Sequence, residues 1–110
     1  MYVRGANAIK RKDVEEEGAK KVRIQLLIDQ HRAATFVMRR FFVGPRGETP
    51  LHTHHWEHEV YVLKGRGIVT DGKAKHKLGP GTVVYVPQNK KHQFRNPGNQ
   101  QLVFLCIIPK

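Results

Sequence analysis

The sequence predicts an all-β protein, a sandwich or barrel of antiparallel strands. Three observations carry this. From about Val22 onward the chain runs in short β-branched and aromatic stretches. Clusters of Gly, Pro, Asn and Asp separate those stretches at close intervals, as turns do between neighbouring strands. No segment sustains the apolar period of a long helix, and many short strands with close turns favour a sandwich or barrel over a parallel α/β sheet.

Taken in order, the first 21 residues read as an N-terminal extension. A helical turn within Lys12–Lys21 stays open, because Gly18 weakens it. Strands are predicted over Val22–Ile28, Ala34–Val43, His58–Leu63 and Gly67–Thr70, then over Lys73–Leu78, Thr82–Val86, Gln93–Arg95 and Gln101–Ile108. Asp71-Gly72 predicts a two-residue hairpin, since that turn needs positive φ. Gly44-Pro45-Arg46-Gly47, Gly79-Pro80-Gly81 and Asn96-Pro97-Gly98-Asn99 are further turn clusters.

Length and composition bound the rest. The 110 residues fit one domain, with the core barrel expected over about residues 35–108. No apolar run approaches the roughly 20 residues of a spanning helix. The stretch Met1-Tyr2-Val3-Arg4-Gly5 lacks the apolar segment of a secretory signal, so a soluble cytoplasmic protein without a membrane partner is expected. Cys106, the single cysteine, stands in an apolar strand and reads as a small buried hydrophobe. Twenty Lys and Arg against nine Asp and Glu give a net charge of +11. The basic residues are dispersed, and no aromatic stacking platform accompanies them, so a nucleic-acid partner is not expected.

Chemistry concentrates in histidine. Four of the seven histidines fall in His52-Thr53-His54-His55-Trp56-Glu57-His58. On extended chain, residues two apart share a face, so His52 and His54 offer their imidazoles to one point while Thr53 turns away. His58 has the same parity and opens the run Glu59-Val60-Tyr61-Val62-Leu63. If it faces inward, Val60 and Val62 follow it and Glu59, Tyr61 and Leu63 face out. His92 arrives just after the turn at Pro87-Gln88-Asn89. Neutral imidazole ligates Zn, Cu, Fe and Ni, whereas an isolated His-x-His reads more readily as a surface cluster.

The spacing around these histidines resembles the cupin superfamily. His52-x-His54 is followed by three residues, His58, six residues and Gly65. Gly81 is followed by five residues, Pro87-x-Asn89, two residues, His92, three residues and Asn96. Both cupin motifs are matched in order, and 15 residues from Arg66 to Pro80 separate them. The resemblance spans roughly Thr35 to Ile108 and implies a double-stranded β-helix, or jelly-roll, barrel. Three departures stand out. Four residues, not five, separate Gly47 from His52. Asn89 replaces a turn glycine, and His58 stands where the family usually places a ligand Glu. Glu59 is the alternative third ligand, but that register breaks the six-residue spacing to Gly65 and turns Val60 and Val62 outward.

With His58 in the ligand position, the resemblance implies one divalent metal held by His52, His54, His58 and His92. It points to manganese or iron, with zinc, nickel or copper as other metals the family holds. Four ligands in an octahedral arrangement would leave two adjacent positions open. An all-imidazole shell leaves the dication its full charge, which favours an anionic or oxygen-rich ligand. By strand parity and by resemblance, Phe104 and Cys106 line the pocket. Arg39, if inward, binds an anionic substrate there; otherwise it is a surface charge beside Arg40. Trp56 reads as a packing anchor, and His31, His55 and His76 as surface residues. The leading expectation is a metal-dependent oxygenase acting on a small molecule. A non-catalytic binding module and a sugar or keto isomerase are the alternatives. Resemblance and the second apolar face of Gln101–Ile108 add the expectation of a homodimer.

Overall fold

The computed structural model describes residues 1–110. A 3-10 turn at Ala6–Ala8 is followed by nine strands: β1 (Lys12–Asp13), β2 (Lys20–Ile28), β3 (Phe36–Glu48), β4 (His58–Lys64), β5 (Gly67–Thr70), β6 (Lys75–Leu78), β7 (Val83–Val86), β8 (Gln93–Arg95) and β9 (Leu102–Pro109). Every pairing is antiparallel. The sheet runs β6-β5-β8-β3-β9-β4-β7, and β1 and β2 join it along β3. It curls on itself, so the all-β barrel expected from the sequence is the fold observed. No helix is long and apolar enough to cross a membrane.

Strand β3 makes the curl possible. Its first part pairs with β9 from Phe36↔Pro109 to Val43↔Leu102, and its end reaches β8 through Glu48↔Arg95. The sequence reads Gly44-Pro45-Arg46-Gly47 as a turn, yet the strand continues through it for 13 residues in all. The cluster is an irregularity in the β2–β3 ladder, where pairing passes from Val22↔Val43 to Lys20↔Glu48. Arg46 takes φ 64° there. A Cβ on Gly47 would lie 2.6 Å from the Lys20 carbonyl oxygen, so only glycine lets the two strands stay paired. Turn residues thus serve as a bend inside one strand.

A second correction concerns the β5–β6 hairpin. Thr70 pairs with Lys75, so four residues, Asp71–Ala74, form the loop instead of the expected two. The Asp71 carboxylate is the reason: it accepts from the Lys73 and Ala74 backbone N–H groups at 2.9 and 2.8 Å. The Thr70 hydroxyl donates to the Ala74 carbonyl at 2.8 Å. Side-chain oxygens here outcompete the tighter turn. The open question over Lys12–Lys21 resolves as strand β1 and a turn, with Gly18 at φ 93°.

The barrel interior is filled by Val22, Val43, Val60, Val62, Val69, Leu78, Phe94, Leu102, Phe104 and Cys106. Phe104 sits at its centre, 4.7 Å from the Phe94 ring and 5.3 Å from the Phe41 ring. Full burial of such a side chain contributes roughly 1.5–3 kcal/mol. In β4, His58, Val60 and Val62 are buried while Glu59, Tyr61 and Leu63 are exposed. The N-terminal segment is tied to this body by Gln25, which is 1% exposed and donates to the carbonyls of Ala6 and Ile9 at 3.0 and 2.7 Å.

Candidate metal centre

Two chain segments carry the histidines, and backbone bonds stitch them together. His52 and His92 face each other in an isolated bridge, each N–H donating to the other's carbonyl at 3.1 and 3.0 Å. The Asn89 N–H donates to the His54 carbonyl at 2.7 Å, and Asn89 takes φ 64° to do so. That is the left-handed conformation for which Asn replaces glycine at little cost. His58 opens β4 opposite Val86. The rings are therefore fixed by main chain before any ligand arrives.

Three of the imidazoles form one cluster, with the fourth beside it. The ligating nitrogens of His52, His54 and His92 lie within 4.8 Å of one another. His58 adjoins them, with its Nε2 at 3.1 Å from His54 Nδ1 and its ring centre 4.7 Å from that of His92. Glu59 is exposed on the opposite face of β4 and does not approach this point. Among the remaining histidines, His31, His55 and His76 are exposed, as expected.

The outer nitrogens are occupied. His92 Nδ1 donates to the Lys90 carbonyl at 2.9 Å, and His52 Nδ1 meets Glu16 Oε2 at 2.8 Å. His58 Nδ1 stands 3.4 Å from Cys106 Sγ. The Lys90 carbonyl and the Glu16 carboxylate hold the proton on Nδ1 of His92 and His52 and leave their Nε2 lone pairs free. Burial, then neighbouring positive charge, pushes His58 down to about 3 and His54 to about 4; burial also lowers His92. These rings are neutral at physiological pH, the form that binds a metal. Two imidazole nitrogens bound side by side on one ion, each about 2.1 Å from it, lie about 3 Å apart. The 3.1 Å between His54 and His58 matches that spacing. His52, His54 and His92 thus form a donor set able to hold a divalent ion, and His58 lies against it.

The cluster opens into a cavity of about 430 Å³. Arg39, Phe104 and Cys106 all line it, so Arg39 faces inward and is no surface charge. Its Nη2 donates to Cys106 Sγ at 2.9 Å, and its guanidinium lies 5.0 Å from the Phe41 ring centre. Trp56 stacks on His54 at 4.2 Å with 9° between the planes, the packing role expected of it. Sequence reasoning missed Val14 and Glu16, which come from the turn after β1 and close one side of the cavity. Glu16 belongs to the run Glu15-Glu16-Glu17, and nothing in that run singles out its middle member.

A family model described as the cupin domain matches residues 39–108. The chain belongs to the cupin family. Among cupins of known structure, it overlays on the polyketide cyclase RemF from Streptomyces resistomycificus with a TM-score of 0.93 and 36% identity, covering 99% of this chain and 79% of that one. It is 41% identical over 71 residues to the 1-methylthio-D-xylulose 5-phosphate methylsulfurylase of Rhodospirillum rubrum, covering 64% of this chain and 46% of that protein. It is 31% identical over 70 residues to the oxalate-binding protein of Thermotoga maritima, covering 63% and 58%. The chain spans about half the length of these curated relatives. As a cupin it carries three histidines able to hold one metal ion, with a fourth imidazole against them.

Proposed function

We propose that this cupin binds one divalent metal ion through His52, His54, His58 and His92 and is an enzyme acting on a small, oxygen-rich organic anion. The observation that carries this reading is a cluster of three imidazoles, with His58 against it, opening into a cavity half lined by hydrophobic residues. A divalent ion bound there supplies Lewis acidity toward carbonyl, enolate or carboxylate oxygen. The chain's own residues do the rest. Phe41, Phe94 and Phe104 exclude water, which strengthens every charge interaction inside. Glu16 is the one carboxylate lining the cavity, and His52 engages it, so no free acid–base pair stands ready. Manganese or iron is the proposed metal on family resemblance; zinc, nickel and copper bind nitrogen donors more tightly in the usual affinity order.

The reaction we place first is enolate–carbonyl chemistry. The polyketide cyclase above overlays on nearly the whole chain, and a polyketide is a series of enolisable carbonyls. An oxygenase, the expectation from sequence, is the second reading, favoured by the water-excluding walls of the cavity. Metal-loaded protein supplied with a β-diketone or aromatic β-keto acid, in air and under nitrogen, separates the readings. Consumption under nitrogen is the expected result, and consumption only in air selects the oxygenase. Binding without turnover in either atmosphere overturns the enzyme and leaves a metal-anchored receptor.

We also assign the outer face around β4 and β7 to self-association. Tyr61, Leu63, Val83 and Tyr85 are all exposed there, an apolar patch of the kind that marks an interface.

A further inference from the structure

Two buried side-chain donors in this molecule have no hydrogen-bond partner: Arg39 Nε and Trp56 Nε1. Both belong to residues lining the one cavity beside the histidine cluster. Buried polar groups are ordinarily paired, so the Arg39 guanidinium, unmatched at Nε, keeps spare donor capacity beside the cavity. Arg39 carries the stronger demand, because it is charged. None of the four ion pairs in the structure involves it. Its one protein partner is the Cys106 sulfur, a weak acceptor. The only lining carboxylate, Glu16, is held by His52.

We infer that the cavity takes an organic acid, seated by its carboxylate on the Arg39 guanidinium. This rests on the reading of the cavity as a ligand site and adds the chemical class of the ligand. A planar guanidinium matches a carboxylate through paired N–H donors. The carboxylate is preferred to a phosphate because Arg39 is the sole Lys or Arg in the lining. Half of the 16 lining residues are hydrophobic, so the rest of the molecule is apolar or aromatic.

Trp56 is the only tryptophan in the chain, so its fluorescence reports on this cavity alone. Titration of the purified protein with benzoate, benzamide and phenyl phosphate tests the inference. Benzoate is expected to bind about ten-fold tighter than benzamide, the gain from one charge-assisted contact. The preference is expected to survive chelation of the metal. In Arg39→Gln it falls to near unity, and Arg39→Lys keeps part of it. Equal binding of benzoate and benzamide by the unaltered protein overturns the inference, and that comparison needs no variant to fold. So does loss of the preference on chelation, its persistence in Arg39→Gln, or tighter binding of phenyl phosphate. A protein that holds no metal yet keeps the preference supports the Arg39 seat while removing the metal-dependent reading.

Discussion

At the scale of single residues, the distinction between His58 and Glu59 decides the charge of the site. His58 turns inward against His54 and His92, whereas Glu59 is exposed on the outer face. Elemental analysis of purified variants is expected to find about one equivalent of metal in Glu59→Ala and a loss of metal in His58→Ala. Metal lost with Glu59→Ala instead would restore a carboxylate ligand and remove the argument for an anionic substrate. Glu16 makes a subtler contribution through His52 Nδ1. Glu16→Gln is expected to weaken metal binding by about 10–100-fold, read by competition with a chelator. Protonation gives a third test. In the metal-free protein His58 and His54 are held down to about 3 and about 4, against an ordinary 6.5. Below 6.5 the unfolded chain takes up protons that the folded chain refuses, so stability is lost as pH falls from 6.5 toward those values. Denaturant midpoints of metal-free protein are expected to drop across that window, and a flat profile would mean the rings are more open to solvent than the structure has them. His52, His54 and His58 were legible because they share one parity on extended chain, and the spacing of the second cupin motif added His92. Glu16 was not, because its role depends on a meeting with His52 across the fold, and its neighbours Glu15 and Glu17 share its chemistry.

At the scale of elements, most strands could be read from β-branched runs and their punctuation, with ends displaced by a residue or two. The errors came where turn residues did other work. Gly44–Gly47 has the composition of a loop, yet the backbone of Lys20 stays alongside it and the strand carries on. Composition alone cannot separate a turn from a bend when the deciding partner is a distant strand. A direct check is Gly47→Ala, whose methyl meets backbone oxygen atoms of Lys20 and Gly44 at 2.6 and 2.9 Å. The expected cost is about 1–3 kcal/mol, seen as a lower urea midpoint. An unchanged midpoint would mean the irregularity relaxes freely. The β5–β6 loop teaches a related lesson, since Asp71-Gly72 was recognised as a turn but the Asp71 carboxylate, by taking two N–H groups, set its length.

At the scale of the whole molecule, two spaced motifs sufficed to place the chain among the cupins, and the match over residues 39–108 bears this out. If the outer face of β4 and β7 joins two copies, Val83→Lys is expected to halve the mass measured by light scattering without loss of metal. Val83 is 70% exposed, so this substitution leaves the barrel intact, and an unchanged mass would place self-association elsewhere or nowhere. The remaining consequence concerns the turn that carries Val14 and Glu16. These residues border the cavity, yet they lie outside the stretch that matches the family. One wall of the guest's cavity is thus written in a different length of chain from the imidazoles, and Glu16 ties the two together through His52. A lineage that exchanges the leading segment therefore changes that wall and the acid behind His52 in one step, so the guest admitted and the hold on the metal shift together.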